Sequence, residues 1–145
     1  MSSPTRLSGG VVTLYSGTVT TAGTVTGGTV AGLGGALQLA AQAAFTYGSG
    51  GTATTAYLQT SLDEAASWMD IAAFGFATTT ATRVFRLGMG DSSGTALLTP
   101  TDGSLTSGTQ VNGVLGDRFR VKVISTGTYA GNTTLVLKAS VKSGG

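Results

Sequence analysis

The sequence predicts an all-β protein: an antiparallel β-sandwich of jelly-roll or Greek-key type, with seven to nine short strands and an extended N-terminal arm. Three observations carry that prediction. Apolar residues recur at every second position in several separate stretches, with polar residues between them. Turn residues break those stretches about every 8 to 12 residues, the rhythm of a small sandwich or barrel. Gly, Thr, Ala and Ser together fill 82 of 145 positions, a bias toward β-branched and turn residues that leaves no amphipathic helical stripe.

Residues 1–35 form the first unit, a Gly/Thr-rich arm or edge strand, and residues 36–145 form the sandwich domain. Within the arm, residues 11–19 read as a strand. The remainder alternates Thr with Val and Gly and has few large side chains to anchor it. As an arm it would order against a neighbouring subunit, and its deletion would spare folding; as a threaded edge strand it would belong to the sandwich.

The pattern sharpens after Gly35. Leu37, Leu39, Ala41, Ala43, Phe45 and Tyr47 alternate with residues that include Gln38 and Gln42, which is period 2 rather than the 3 and 4 spacing of a helix. Residues 53–62 form a Thr-rich strand that ends at Asp63. Residues 68–76 place Trp68, Ala72, Phe74 and Phe76 on one face, with Trp68 expected in the core. Residues 82–87 alternate Arg83, Phe85 and Leu87 with Val84 and Arg86. Residues 88–116 are rich in Gly, Asp, Pro and Asn and read as a long connection with at most two short strands, near 95–98 and 109–115. At the end, Phe119, Val121 and Val123 alternate with Arg118, Arg120 and Lys122. After a turn over residues 125–132, Leu135, Leu137, Ala139 and Val141 alternate with residues that include Lys138 and Lys142. This reads as a two-stranded hairpin with one apolar face and one basic face.

Composition narrows the function. The chain has no His and no Cys, which removes Ser-His and Cys-His nucleophile systems, Cys/His zinc sites, disulfides and thiol redox chemistry. Apolar residues make up 41% and charged residues 10% of the chain, which is not the composition of a disordered protein. A chain of this length buries roughly two-thirds of its unfolded surface as one domain. No apolar run reaches the length of a helical membrane span, and the first residues lead into glycines rather than the apolar core of a signal peptide. A protein made in the cytoplasm is the expectation.

Ser61, Asp63, Ser67 and Trp68 resemble the Asp-box hairpin, Ser-x-Asp-x-Gly-x-Thr-Trp, in which a turn carboxylate binds backbone amides. Ala65 stands where that motif has glycine. The reading is a structural turn. Catalysis by paired carboxylates needs two acids held across a cleft. The acids are Asp63, Glu64, Asp70, Asp91, Asp102 and Asp117; most lie at turns, and Asp70, inside a strand, has no partner readable from spacing. Asp91 and Asp102 read as Asx-turns rather than calcium loops. No phosphate-binding glycine motif is present, and Asn132-Thr-Thr134 reads as a turn although it fits the glycosylation sequon. The chain is expected to be no enzyme and to carry no metal and no cofactor.

The net charge of +2 is unevenly placed, because residues 117–145 hold five cations against Asp117 alone. Arg118, Arg120, Lys122, Lys138 and Lys142 are therefore the candidate partner-binding residues, on one face of the hairpin. They read either as a plain solvated face or as a contact for an acidic protein surface; nucleic acid fits less well, because it would call for exposed aromatics and more cations.

The stretches Tyr57-Leu-Gln-Thr-Ser-Leu-Asp63, Trp68-Met-Asp-Ile71, Gly116-Asp-Arg-Phe-Arg-Val-Lys-Val123 and Ser125-Thr-Gly-Thr-Tyr-Ala-Gly131 resemble small all-β virion proteins of tailed bacteriophages and gene-transfer agents. The resemblance implies a particle component: a capsid decoration (cement) protein on the outer shell, bound to the major capsid protein or other virion proteins, often as a homotrimer. A neck, tail or spike component shares the composition. A carbohydrate-binding module is the other class, and it would need exposed aromatics among Tyr15, Tyr47, Tyr57, Trp68 and Tyr129.

Overall fold

The alternating stretches of the sequence become strands in the computed structural model, which describes residues 9–33, 35–88, 97–111 and 113–143. The strands are β1 (Gly9–Thr18), β2 (Gly23–Thr26), β3 (Ala36–Thr46), β4 (Ser49–Gly50), β5 (Ala53–Ser61), β6 (Met69–Phe76), β7 (Ala81–Gly88), β8 (Arg118–Thr126), β9 (Tyr129–Ala130) and β10 (Thr134–Ser143). No helix occurs among the described residues.

Two four-stranded antiparallel sheets result. Sheet A has the order β1-β10-β3-β7, sheet B has β2-β8-β5-β6, and β4 with β9 forms a two-stranded ribbon. The β5–β6 connection stays within sheet B, whereas every other link between the long strands crosses from one sheet to the other. That is the wrapped connectivity of a jelly roll.

The core lies between the two inner faces. Leu39, Ala41, Ala43 and Phe45 of β3 and Leu135, Leu137, Ala139 and Val141 of β10 pack in one cluster with Ala56 and Leu58 of β5, Ile71, Phe74 and Phe76 of β6, and Phe119, Val121 and Val123 of β8. The Phe45 ring stacks on Phe76 at 4.9 Å and meets the Tyr129 ring edge-on at 5.8 Å. Each large apolar side chain buried here contributes about 1.5–3 kcal/mol, which ties strand alternation directly to sandwich stability.

One expectation changes, and one of two open readings is selected. First, β8 and β10 are not a hairpin. β8 lies between β2 and β5, and β10 lies between β1 and β3 in the other sheet. The link between them crosses the end of the sandwich, where β9 pairs with β4. There the buried Tyr129 hydroxyl donates to the Ala77 carbonyl at 2.8 Å and pins the crossover. Second, the described residues of the 1–35 segment are edge strands: β1 closes one side of sheet A and β2 the same flank of sheet B, and Leu14 and Val19 belong to the core.

The long connection before β8 has its own role. Residues 95, 96 and 112 lie outside the described residues, 97–100 form no strand, and among the described residues of 109–115 only Gln110 makes a bridge, to Ala72. Backbone bonds from Val111 to Ile71 (2.8 Å), from Ala73 to Thr109 (3.0 Å) and from Gly108 to Ala73 (2.9 Å) lay this segment along the free edge of β6. Its position explains why residues 69–74 are buried on both faces of the strand.

Candidate functional site

Because β8 and β10 both turn their apolar residues into one core, their cations point to opposite sides of the molecule. Arg118, Arg120 and Lys122 stand on the outer face of sheet B, and Lys138 and Lys142 on the outer face of sheet A. The single five-cation stripe is thereby split into two groups with different surroundings.

On sheet B the cations are engaged. Lys122 Nζ donates to Asp102 Oδ1 at 2.8 Å, Arg120 lies 3.7 Å from the same oxygen, and Arg118 lies 3.8 Å from Asp117. Arg120 Nε also donates to Gln59 Oε1 at 2.7 Å, and its guanidinium sits 4.5 Å from the centre of the Trp68 ring. Trp68 is therefore half-buried under a cation on the outer face, not in the core. Gln59 Nε2 donates to Asp70 at 2.8 Å and to Asp102 at 2.7 Å. The Lys122 ammonium, the Gln59 amide and the nearby Arg120 charge hold the Asp102 carboxyl below the usual carboxylate range.

Asp70 is 1% exposed and is the anchor of this face. Its carboxylate accepts from the backbone of Gly103 (2.9 and 2.8 Å), Ser104 (3.0 Å) and Leu105 (3.1 Å) and from the Thr101 hydroxyl (2.8 Å). Successive amides converging on one anion form a nest, and Gly103 reaches the required backbone at φ 87°. Asp70 thus gains Asp102 as a neighbour that spacing did not reveal. The two carboxylates share one amide nitrogen, with Asp70 buried under the loop and Asp102 half-exposed upon it.

The Ser61–Trp68 turn is closed by side-chain bonds. Asp63 accepts from the Ser67 amide (2.8 Å) and hydroxyl (2.6 Å), while Ser61 Oγ donates to Asp63 at 2.9 Å and accepts from the Ala65 amide at 2.8 Å. Glu64 and Ala65 take φ of 58° and 72°, so Ala65 adopts the backbone of the missing glycine. These bonds hold the Asp63 carboxyl below its ordinary range. The motif closes the β5–β6 turn.

Sheet A presents a different surface. Its register sets Lys142 beside Gln38, Lys138 beside Gln42, and Ser140 beside Ala40, which pairs in turn with Arg86 on β7. Arg86, Lys138 and Lys142 form no ion pair with a described residue, and no described carboxylate stands on this face. Val11 is 72% and Val84 58% exposed here. Beside Val84 lies a hollow of about 690 Å3, whose lining includes Gln38, Ala40, Arg86, Ser140 and Lys142. Arg86 was not among the sequence candidates; its shared parity with Thr82 and Val84 on β7 is the signal that places it on the outer face.

All ten aromatic residues are described, and none is in the exposed class. No protein-family model matches the chain, and comparison with curated proteins and with solved structures finds no similar chain.

Proposed function

We propose that this chain is a non-enzymatic structural component of a tailed-phage or gene-transfer-agent particle, a capsid decoration protein bound to the outside of the shell. Jelly rolls serve viral shells, lectins and cupin-type sites alike, so connectivity alone does not choose among them. A sugar site would draw on exposed rings, and a metal site inside the sandwich on imidazole or carboxylate ligands. None of the rings is in the exposed class, the chain has no His, and the core cluster is apolar.

The observation that carries the reading is the segregation of charge: four of the five described carboxylates are engaged in a turn, in loop anchoring or in ion pairs, while one broad sheet face holds cations with no carboxylate partner among the described residues. Such a surface suits docking rather than chemistry. The sequence resemblance to small virion proteins supplies the particle. The test is quantitative: particles are purified from producing cells and the copies of this chain are counted against the major shell protein. A copy number that scales with the shell supports decoration. The copy number of one small ring assigns the neck, tail or spike instead, and absence from particles removes the reading.

A further inference from the structure

We infer that the outer face of sheet A docks on an acidic protein surface, with Arg86, Lys138 and Lys142 as its charged contacts and Val11 and Val84 as its apolar ones. This deepens the particle reading and rests on it only for where that acidic surface would be met.

Charge decides between the two faces of the sandwich. Arg118, Arg120 and Lys122 each have a carboxylate within 4 Å, so an incoming acid would compete with Asp102 or Asp117. Arg86, Lys138 and Lys142 have no such competitor among the described residues. Lys138 and Lys142 stand four residues apart on β10, about 14 Å, and Arg86 lies two strands across from the Ser140 row between them, about 10 Å away. Three unpaired cations at the corners of a flat triangle produce a positive field that is not cancelled locally.

The ground between them suits contact with protein. Ala40, Ala44 and Ser140 are short and leave the floor low; Gln38 and Gln42 offer amide donors and acceptors; Val11 and Val84 stand out at the two edges. Apolar groups, Arg and amides without acids are the composition of an interface that selects acidic partners. Four strands about 4.8 Å apart and about eight residues long give a face of about 500 Å2, below the ~800 Å2 per partner of a stable interface. A single contact is therefore weak, and repetition over many copies is what makes it hold. Nucleic acid fits less well, because three cations 10 Å or more apart match few closely spaced phosphates, roughly one per 1.7 Å of duplex, and no exposed ring is present to stack on bases.

The experiment titrates isotope-labelled full chain with poly-L-glutamate and follows backbone amide signals. The expected shifts concentrate on β10, β3 and β7, and binding weakens about tenfold between roughly 20 and 200 mM salt. Arg86→Gln, Lys138→Gln and Lys142→Gln combined abolish the shifts while the free variant keeps its spectrum, and Arg118→Gln leaves them in place. Shifts centred on β8 or on residues 97–111, or survival of the shifts in the triple variant, overturn the inference. So does a short DNA duplex that displaces poly-L-glutamate at lower charge concentration, since the face would then prefer phosphate. Failure of the particle reading is distinguishable: the mapped binding persists while the chain is absent from purified particles.

Discussion

The Gln59 side chain donates from Nε2 to the buried Asp70 carboxylate at 2.8 Å, and with the same nitrogen reaches Asp102 at 2.7 Å. One amide thus couples β5 to the buried acid of β6 and to the acid of the loop that crosses sheet B. Arg120 and Lys122 of β8 are drawn into this coupling, whereas the cations of sheet A have no carboxylate partner among the described residues.

Asp70→Asn is expected to destabilise the protein by about 2–4 kcal/mol. The substitution replaces an anion that accepts from three backbone amides, one hydroxyl and Gln59 with a group that accepts at only one atom. Urea denaturation measures the loss, and amide exchange should accelerate first at Gly103, Ser104 and Leu105.

Stability should be level near neutrality and decline in acid. The Asp102 and Asp63 carboxyls are held below the usual range by Lys122 and Gln59 and by Ser67 and Ser61 respectively. Groups with depressed folded pKa values contribute above the unfolded value of about 3.9, and the contribution is lost as pH falls through the folded values. Thermal scans from pH 7 to about pH 2 should place the loss below about pH 4, and Asp102→Asn should make that acid decline shallower.

Gly116→Ala should cost about 1–3 kcal/mol, because a Cβ there would collide with the Ser61 carbonyl oxygen, a backbone atom that cannot swing away. Gly28→Ala, where nothing lies within 4 Å, should be close to neutral. Paired denaturation curves check the contrast.

Leu14→Ala should cost about 2–4 kcal/mol, since Leu14 is 4% exposed in the core cluster. Deletion of residues 9–27 removes an edge strand from each sheet and should abolish cooperative unfolding, unlike the loss of an independent arm. Differential scanning calorimetry distinguishes the two.

Period-2 alternation made the strands legible because side-chain direction is a local property. Leu39, Ala41, Ala43 and Phe45 point inward as the spacing requires, whereas Leu37, at a register shift opposite β10, is 49% exposed. Alternation says which face a residue takes and nothing about which strand lies beside it, so β8 and β10 looked like partners across a turn although they belong to opposite sheets. The Asp63 turn was readable because its donors lie within four residues. The Asp70 nest was not, since its amides come from more than 30 residues away. Arg86 joined the basic face only once β3 had been placed between β7 and β10.

Lysine acylation of the chain bound to purified particles distinguishes the two faces. Lys138 and Lys142 should become protected relative to the free chain, while Lys122, already paired with Asp102, should react equally in both states. Protection of Lys122 with Lys138 and Lys142 still reactive would contradict this and move the contact to sheet B.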